Sequence, residues 1–217
     1  MVPDTAVFEA ELESVLPADL SHRARVVEAC ALHLRLVAEV NEYMNLTRIS
    51  TPREAAIKHV LDSIMPWPRI QDARTILDIG SGAGFPGIPL ALVFPDRQFI
   101  LTESIRKKAA FLDRAVQALE LPNVEIRAER TEDVLRGWRV DLAIARAVAR
   151  TAKLLRILAP VKNKIGRLLL YKGPDADQEL SEAAPELRRL RLKAGISLRY
   201  ELPDSSGLRS IIEIQQG

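Results

Sequence analysis

Apolar and polar residues follow two different periods along this chain, and the change between them falls near residue 70. Before it the spacing is helical. Val27, Cys30, Ala31, Leu34, Val37 and Ala38 recur three and four positions apart, which predicts an amphipathic helix ending near Met44. Thr51, Pro52 and Glu54 form a capping box with proline in the first helical position. They open a further helix running to about Met65, where Pro66 and Pro68 stop it.

From Arg74 onward, short apolar runs alternate with amphipathic stretches. Strands are predicted at 75–79, 98–102, 124–128, 140–144, 167–171, 196–201 and 210–214. Helices separate the first five; the clearest, at 105–120, carries Ile105, Ala109, Leu112, Val116 and Leu119 on one face. Such alternation implies parallel strands joined by right-handed crossovers. The last two strands have only the short link from Pro203 to Gly207 between them, which implies an antiparallel hairpin at one edge. The expected architecture is α/β. A seven-stranded, mostly parallel Rossmann-like sheet occupies residues 71–217, behind a helical N-terminal extension of residues 1–70.

The stretch ILDIGSGAGFPGIPLA, residues 76–91, is where chemistry enters. A buried strand (Ile76, Leu77, Ile79) carries Asp78 and stops at Gly80, Gly82, Gly84 and Gly87. Pro86 and Pro89 suit the first turn of a helix. Strand, glycine turn and helix N-terminus together make a nucleotide-cofactor cradle. The spacing of Gly82, Gly84 and Gly87 also satisfies the dinucleotide fingerprint. Asp78 tilts the choice. A buried carboxylate is costly unless it meets a cation. S-adenosylmethionine brings an ammonium and a sulfonium, whereas a dinucleotide brings a pyrophosphate that Asp78 would repel. Glu103 ends the next strand about 20 residues on and suits the ribose hydroxyls of either cofactor. Thr131 and Glu132, beside the third strand, suit an adenine edge; simple helix capping by Thr131 explains the same spacing.

Composition narrows the classes. With 217 residues and 47% apolar content, the chain suits one domain with an extension. The single cysteine, Cys30, excludes an internal disulfide and a cysteine-based zinc site, and His22, His33 and His59 have no metal-ligand spacing. No metal is expected. No apolar run is long enough to span a membrane, and the acidic start (Asp4, Glu9, Glu11, Glu13) lacks a secretion signal, so a cytoplasmic protein without a membrane partner is expected. The net charge of +2 is too mild to argue for nucleic acid by itself. Basic patches at Arg106 to Lys108, Arg146 to Arg156, Lys162 to Arg167 and Arg188 to Lys193 would form a phosphate-binding surface if they shared a face.

The fourth strand end reads Ala145, Arg146, Ala147, without the Asn-Pro-Pro-aromatic signature that holds an exocyclic amine. Cys30 is far from any strand end, so a cysteine nucleophile is missing too. An acceptor that is already nucleophilic fits, such as a ring nitrogen like guanine N7. Arg146 and Lys172 suit phosphate or purine acceptors, or else a structural salt bridge.

These residues bear a family resemblance. NLT (45–47), KHVLDS (58–63), LDIGSGAGFPGIPL (77–90), RKKAAFL (106–112), ARA (145–147) and YKG (171–173) occur in the order of the bacterial RsmG (GidB) family. Its members are S-adenosylmethionine-dependent methyltransferases of guanine N7 in 16S ribosomal RNA. The resemblance implies the class I methyltransferase fold, S-adenosylmethionine as cofactor, and 16S ribosomal RNA of the small ribosomal subunit as partner; a monomer is expected. It implies that Gly80 and Phe85 line the cofactor loop, where the glycine spacing already places Gly82, and that Thr131 and Glu132 contact the adenosine part. Arg146, the catalytic candidate, then borders both donor and base. Asn45, His59, Asp62, Ser63, Arg130, Lys172 and Arg209 are implied to surround the mouth as RNA-binding candidates. Lys58, Glu103 and Ser210 depart from the residues common in relatives. An NAD-dependent oxidoreductase and a non-catalytic ribosome-assembly factor are the rival readings.

Overall fold

The computed structural model describes residues 2–49 and 51–217. Two long helices, α1 (Thr5–Val15) and α2 (Arg23–Met44), open the chain. Asn45 ends α2 in a left-handed conformation at φ 52°, which asparagine tolerates better than most residues. Thr51 then caps α3 (Pro52–Ala55), its hydroxyl accepting from the Glu54 amide at 3.3 Å. The predicted helix continues from there, but not as one regular coil. Ala56–Leu61 wind as a π-helix, and the α form returns only at α4 (Asp62–Ile64).

The remaining elements alternate as the periodicity predicts. They are β1 (Thr75–Ile79), α5 (Gly87–Val93), β2 (Gln98–Thr102), α6 (Arg106–Ala118), β3 (Val124–Arg127), α7 (Thr131–Gly137), β4 (Val140–Arg146), α8 (Thr151–Leu158), β5 (Ile165–Lys172), α9 (Ala176–Leu190), β6 (Leu192–Leu202) and β7 (Gly207–Gln216). The seven strands lie in the order β3-β2-β1-β4-β5-β7-β6. β1 to β5 run parallel, and only β7 runs against its neighbours. β6 begins four residues earlier than expected, at Leu192, because it pairs with β7 along almost its whole length.

Each face of the sheet is covered. Leu77, Ile79, Ala143 and Leu168 pack under α7, α8 and α9 on one side. On the other, Ile76, Phe99 and Leu169 share a core with Leu12, Leu34 and Ile57 from the N-terminal helices. The extension therefore supplies one wall of the sheet's own core. Strand order reverses beside β1, with β2 on one side and β4 on the other, and this opens a crevice at the carboxyl ends of the strands.

Topology also sorts the basic patches. Arg106 to Lys108 follow β2 and Arg146 to Arg150 follow β4, so both lie at the crevice end. Lys162 to Arg167 lead into β5, and Arg188 to Lys193 lead into β6, which runs the same way. Those two patches sit at the opposite end of the sheet.

Candidate cofactor and substrate site

Asp78 sits in the middle of the sheet, between Leu101 of β2 and Ile144 of β4, and is fully buried. Its Oδ2 accepts from the Gly87 amide at 3.0 Å, which caps the start of α5. Its Oδ1 has no partner among the described residues. Burial, with a smaller push from the Glu103 charge, raises its carboxyl to about 7, against the nearby Ser81 hydroxyl, the Gly87 amide and the Arg146 charge, which favour ionisation.

The glycine turn is already internally bonded. The Ser81 amide donates to the Thr102 carbonyl, the Gly84 and Phe85 amides to the Ser81 carbonyl, and the Gly82 amide to Glu103 Oε2. Few donors remain for a pyrophosphate, and a carboxylate occupies the helix end where one would bind. An orphaned, buried anionic oxygen fits the ammonium and sulfonium of S-adenosylmethionine instead. Gly84 must be glycine: it holds φ +93°, and a Cβ there would lie 2.5 Å from Ile88 Cδ1.

Two cavities meet above the turn. The smaller, about 140 Å³, is lined by Gly80, Thr102, Ser104, Arg130, Thr131 and Glu132. The larger, about 620 Å³, is walled by Lys58, His59, Arg146, Lys172, Glu179 and Arg209, among others. Val148 lines both, and its Cγ2 lies 3.3 Å from where a Cβ on Gly80 would stand.

The π turn faces Arg146. Arg146 Nη1 donates to the Lys58 carbonyl at 2.8 Å and to Asp62 Oδ2 at 3.1 Å. Asp62 Oδ1 accepts from the Tyr200 hydroxyl at 2.9 Å and lies 3.5 Å from Arg209 Nε. Beneath Arg146, Phe85 is stacked between two imidazoles, His59 at 4.5 Å and His33 at 4.6 Å between ring centroids. The guanidinium lies 5.6 Å from the Phe85 ring centroid. Burial pushes both histidines down, His59 to about 3 with help from the Arg146 charge, and His33 to about 4. A neutral His59 shares a hydrogen bond between Nε2 and Thr47 Oγ1 at 2.9 Å. No group of His, Cys, Asp or Glu among the described residues could hold a metal, and no described helix is long and apolar enough to cross a membrane.

A family model described as "GidB: rRNA small subunit methyltransferase G" matches residues 27–195. The ribosomal RNA small subunit methyltransferase G of Solibacter usitatus is 50% identical over 96% of this chain and 99% of that protein. The protein of the same name from Lachnoclostridium phytofermentans is 36% identical over 88% of this chain and 81% of its own. The chain belongs to the GidB family. Its fold is that of the methyltransferases more widely. The N-terminal domain of human METTL16 in complex with SAH superposes with a TM-score of 0.58, at 14% identity over 98% of this chain and 94% of that one. The O-methyltransferase TomG from Streptomyces achromogenes in complex with SAM does so with 0.57, at 16% identity over 88% and 90%.

Several residues implied by the family resemblance stand elsewhere than expected. Ser63 is fully buried, its hydroxyl bonded to the His59 carbonyl, so it does not reach the mouth. Asn45 is exposed at the end of α2 and lines neither cavity. Asp62 is buried with both oxygens bonded, so it orients Arg146 and Arg209 and offers phosphate nothing. Lys172 reaches the larger cavity, but its ammonium is held by Glu179 and the Ala149 carbonyl. Arg130 edges the smaller cavity, fully apart from the larger one's lining. Glu103 holds the amides of Gly82 and Ile105, one on each oxygen. Thr131 does not cap α7: its hydroxyl bonds Thr102 Oγ1 at 2.6 Å, while Arg130 is the cap residue. The sequence reading missed Tyr200, Val148 and Glu179. Nothing in the local pattern around Tyr200 or Glu179 distinguishes them from ordinary strand and helix residues.

Proposed function

We propose that this chain transfers the methyl group of S-adenosylmethionine to N7 of a guanine in 16S ribosomal RNA of the small subunit. The observation that carries the reading is the unpartnered oxygen of Asp78 under a turn most of whose amides are already bonded, in a chain of the GidB family. The adenosine part would occupy the smaller cavity by Gly80, Thr131 and Glu132, with Glu103 holding the turn in shape. The cationic end would lie toward Asp78 and the base in the larger cavity beside Arg146. The donor supplies an electrophilic methyl on a sulfonium.

The protein's part is positioning and electrostatics. Guanine N7 has a free lone pair at neutral pH, so no base need deprotonate it. The neutral, bonded state of His59 is consistent with that. Arg146, fixed by the Lys58 carbonyl and Asp62, would border both reactants, and Val148 would wall the junction between them. No covalent enzyme intermediate is involved. An oxidoreductase lacks support, since its pyrophosphate would meet Asp78.

The test is mapping of N7-methylguanine in 16S RNA incubated with and without the enzyme and donor. A modified guanine that depends on the enzyme is expected; its absence with properly folded protein, or a cysteine adduct trapped on RNA, refutes the reading. Calorimetry with S-adenosylhomocysteine against NADH separates the cofactors directly.

A further inference from the structure

The larger cavity has two carboxylates in its walls, and they are held differently. Asp62 has both oxygens committed, to Arg146 on one side and to Tyr200 and Arg209 on the other. Glu179, in the first turn of α9, has only Oε2 committed. That oxygen accepts from the Thr151 amide at 2.8 Å and the Thr151 hydroxyl at 2.9 Å, and lies 2.8 Å from the Lys172 ammonium. Oε1 takes no hydrogen bond from any described residue, and the side chain keeps 15% exposure on the cavity wall. Burial opposes its charge, but Lys172 and Thr151 prevail and hold the carboxyl below its usual range. At neutral pH, Oε1 is therefore an oriented anionic acceptor.

An oriented carboxylate oxygen among Lys58, Arg146, Lys172 and Arg209 repels a phosphate and attracts N–H groups. Guanine alone among the standard bases carries adjacent donors at N1 and N2, and its N7 lies on the opposite edge. A base held by the N1/N2 edge presents N7 away from α9. The charge balance agrees. As N7 forms its bond to the methyl carbon, the carbon–sulfur bond breaks with its electron pair left on sulfur, and the positive charge passes to the purine. A carboxylate bonded to that purine stabilises the charge as it develops.

On the function proposed above, we infer that Glu179 selects guanine, with Oε1 accepting from its N1–H and N2–H₂ edge. The test compares single-turnover methyl transfer to a 16S RNA fragment carrying guanosine or inosine at the mapped position; inosine keeps N7 but lacks the 2-amino group. Wild type is expected to lose about tenfold in rate on inosine. Glu179→Gln is expected to lose about tenfold on guanosine and to treat both bases alike, with unchanged affinity for S-adenosylhomocysteine. Thr151→Val removes a donor from the inner oxygen only. It should melt lower yet keep the guanosine preference, which a merely structural Glu179 would not separate. Equal wild-type rates on the two bases overturn the proposal even if Glu179→Gln fails to fold, and so does a guanosine preference that survives Glu179→Gln. Absence of transfer by wild type to any RNA would overturn the underlying function instead.

Discussion

Asp78 is a costly residue for the unliganded protein, and its cost has a definite pH signature. Burial raises its carboxyl to about 7, well above the ordinary value near 3.9 that it regains on unfolding. Between those values the folded chain holds the extra proton, so stability falls as pH rises through the window and the full penalty applies above 7. A shift of that size corresponds to roughly 4 kcal/mol. Asp78→Asn avoids the charge but leaves a buried amide donor unpaired, at about 1–3 kcal/mol. We expect the variant to melt above wild type at pH 8, to lose that advantage by pH 5, and to bind no S-adenosylhomocysteine by calorimetry. A variant that melts at or below wild type at pH 8 contradicts this. Wild-type donor affinity should itself rise from pH 6 to pH 8, because the ionised carboxylate is the form that meets a cation. The two buried imidazoles stay neutral in the fold but regain their ordinary value on unfolding, so they lower stability below about pH 6.5 in wild type and variant alike, and this cancels in the comparison.

At the scale of elements, the glycine turn offers two substitutions with opposite diagnostic value. A Cβ on Gly87 would lie 2.7 Å from Asp78 Oδ2, so Gly87→Ala should push the carboxylate aside and weaken cofactor binding more than about tenfold. A Cβ on Gly82 meets nothing closer than 3.9 Å, and only its φ of +59° resists substitution. Gly82→Ala should cost about 1 kcal/mol in a denaturant melt and leave affinity largely intact. A Gly82→Ala that abolishes binding while Gly87→Ala spares it would reverse this assignment. The turn and its strands were legible in sequence because their signals are local: a buried run, glycines, prolines. The helix from Pro52 was legible at both ends for the same reason. Its π interior was not, because what it meets, the Arg146 guanidinium, is 88 residues away. The Phe85 stack likewise joins three separate segments, and Tyr200 reaches Asp62 across 138 positions. Periodicity finds which face a residue occupies; it does not find its partner.

For the whole molecule, the division at residue 70 is a change of pattern more than a boundary in the core. Leu12, Leu34 and Ile57 bury the same sheet face as Ile76 and Phe99. The isolated fragment 71–217 should therefore fail to fold cooperatively, as judged by circular dichroism and thermal melting; a cooperative transition would show the sheet to be self-sufficient. The placement of charge makes a second test. Arg106, Lys107, Arg130 and Arg150 are exposed near the crevice, whereas Lys164, Arg188 and Arg189 are exposed at the far end. Charge reversal at Arg106 and Lys107 should weaken RNA binding and flatten its dependence on salt, by a slope of roughly 1 for each phosphate that is no longer neutralised. The same change at Lys164 and Arg188 should do neither.

The six-residue π run has an unusual implication for insertions and deletions. A π turn closes from i to i+5 where an α turn closes from i to i+4, so the run holds about one residue more than an α-helix needs for the same rotation. A single-residue deletion between Ala56 and Leu61 would therefore let the coil proceed as ordinary α with Asp62 still directed at the Arg146 guanidinium. A single-residue insertion has no such slack and would turn all that follows by roughly 100°. Loss of one residue is then tolerated where gain of one is not.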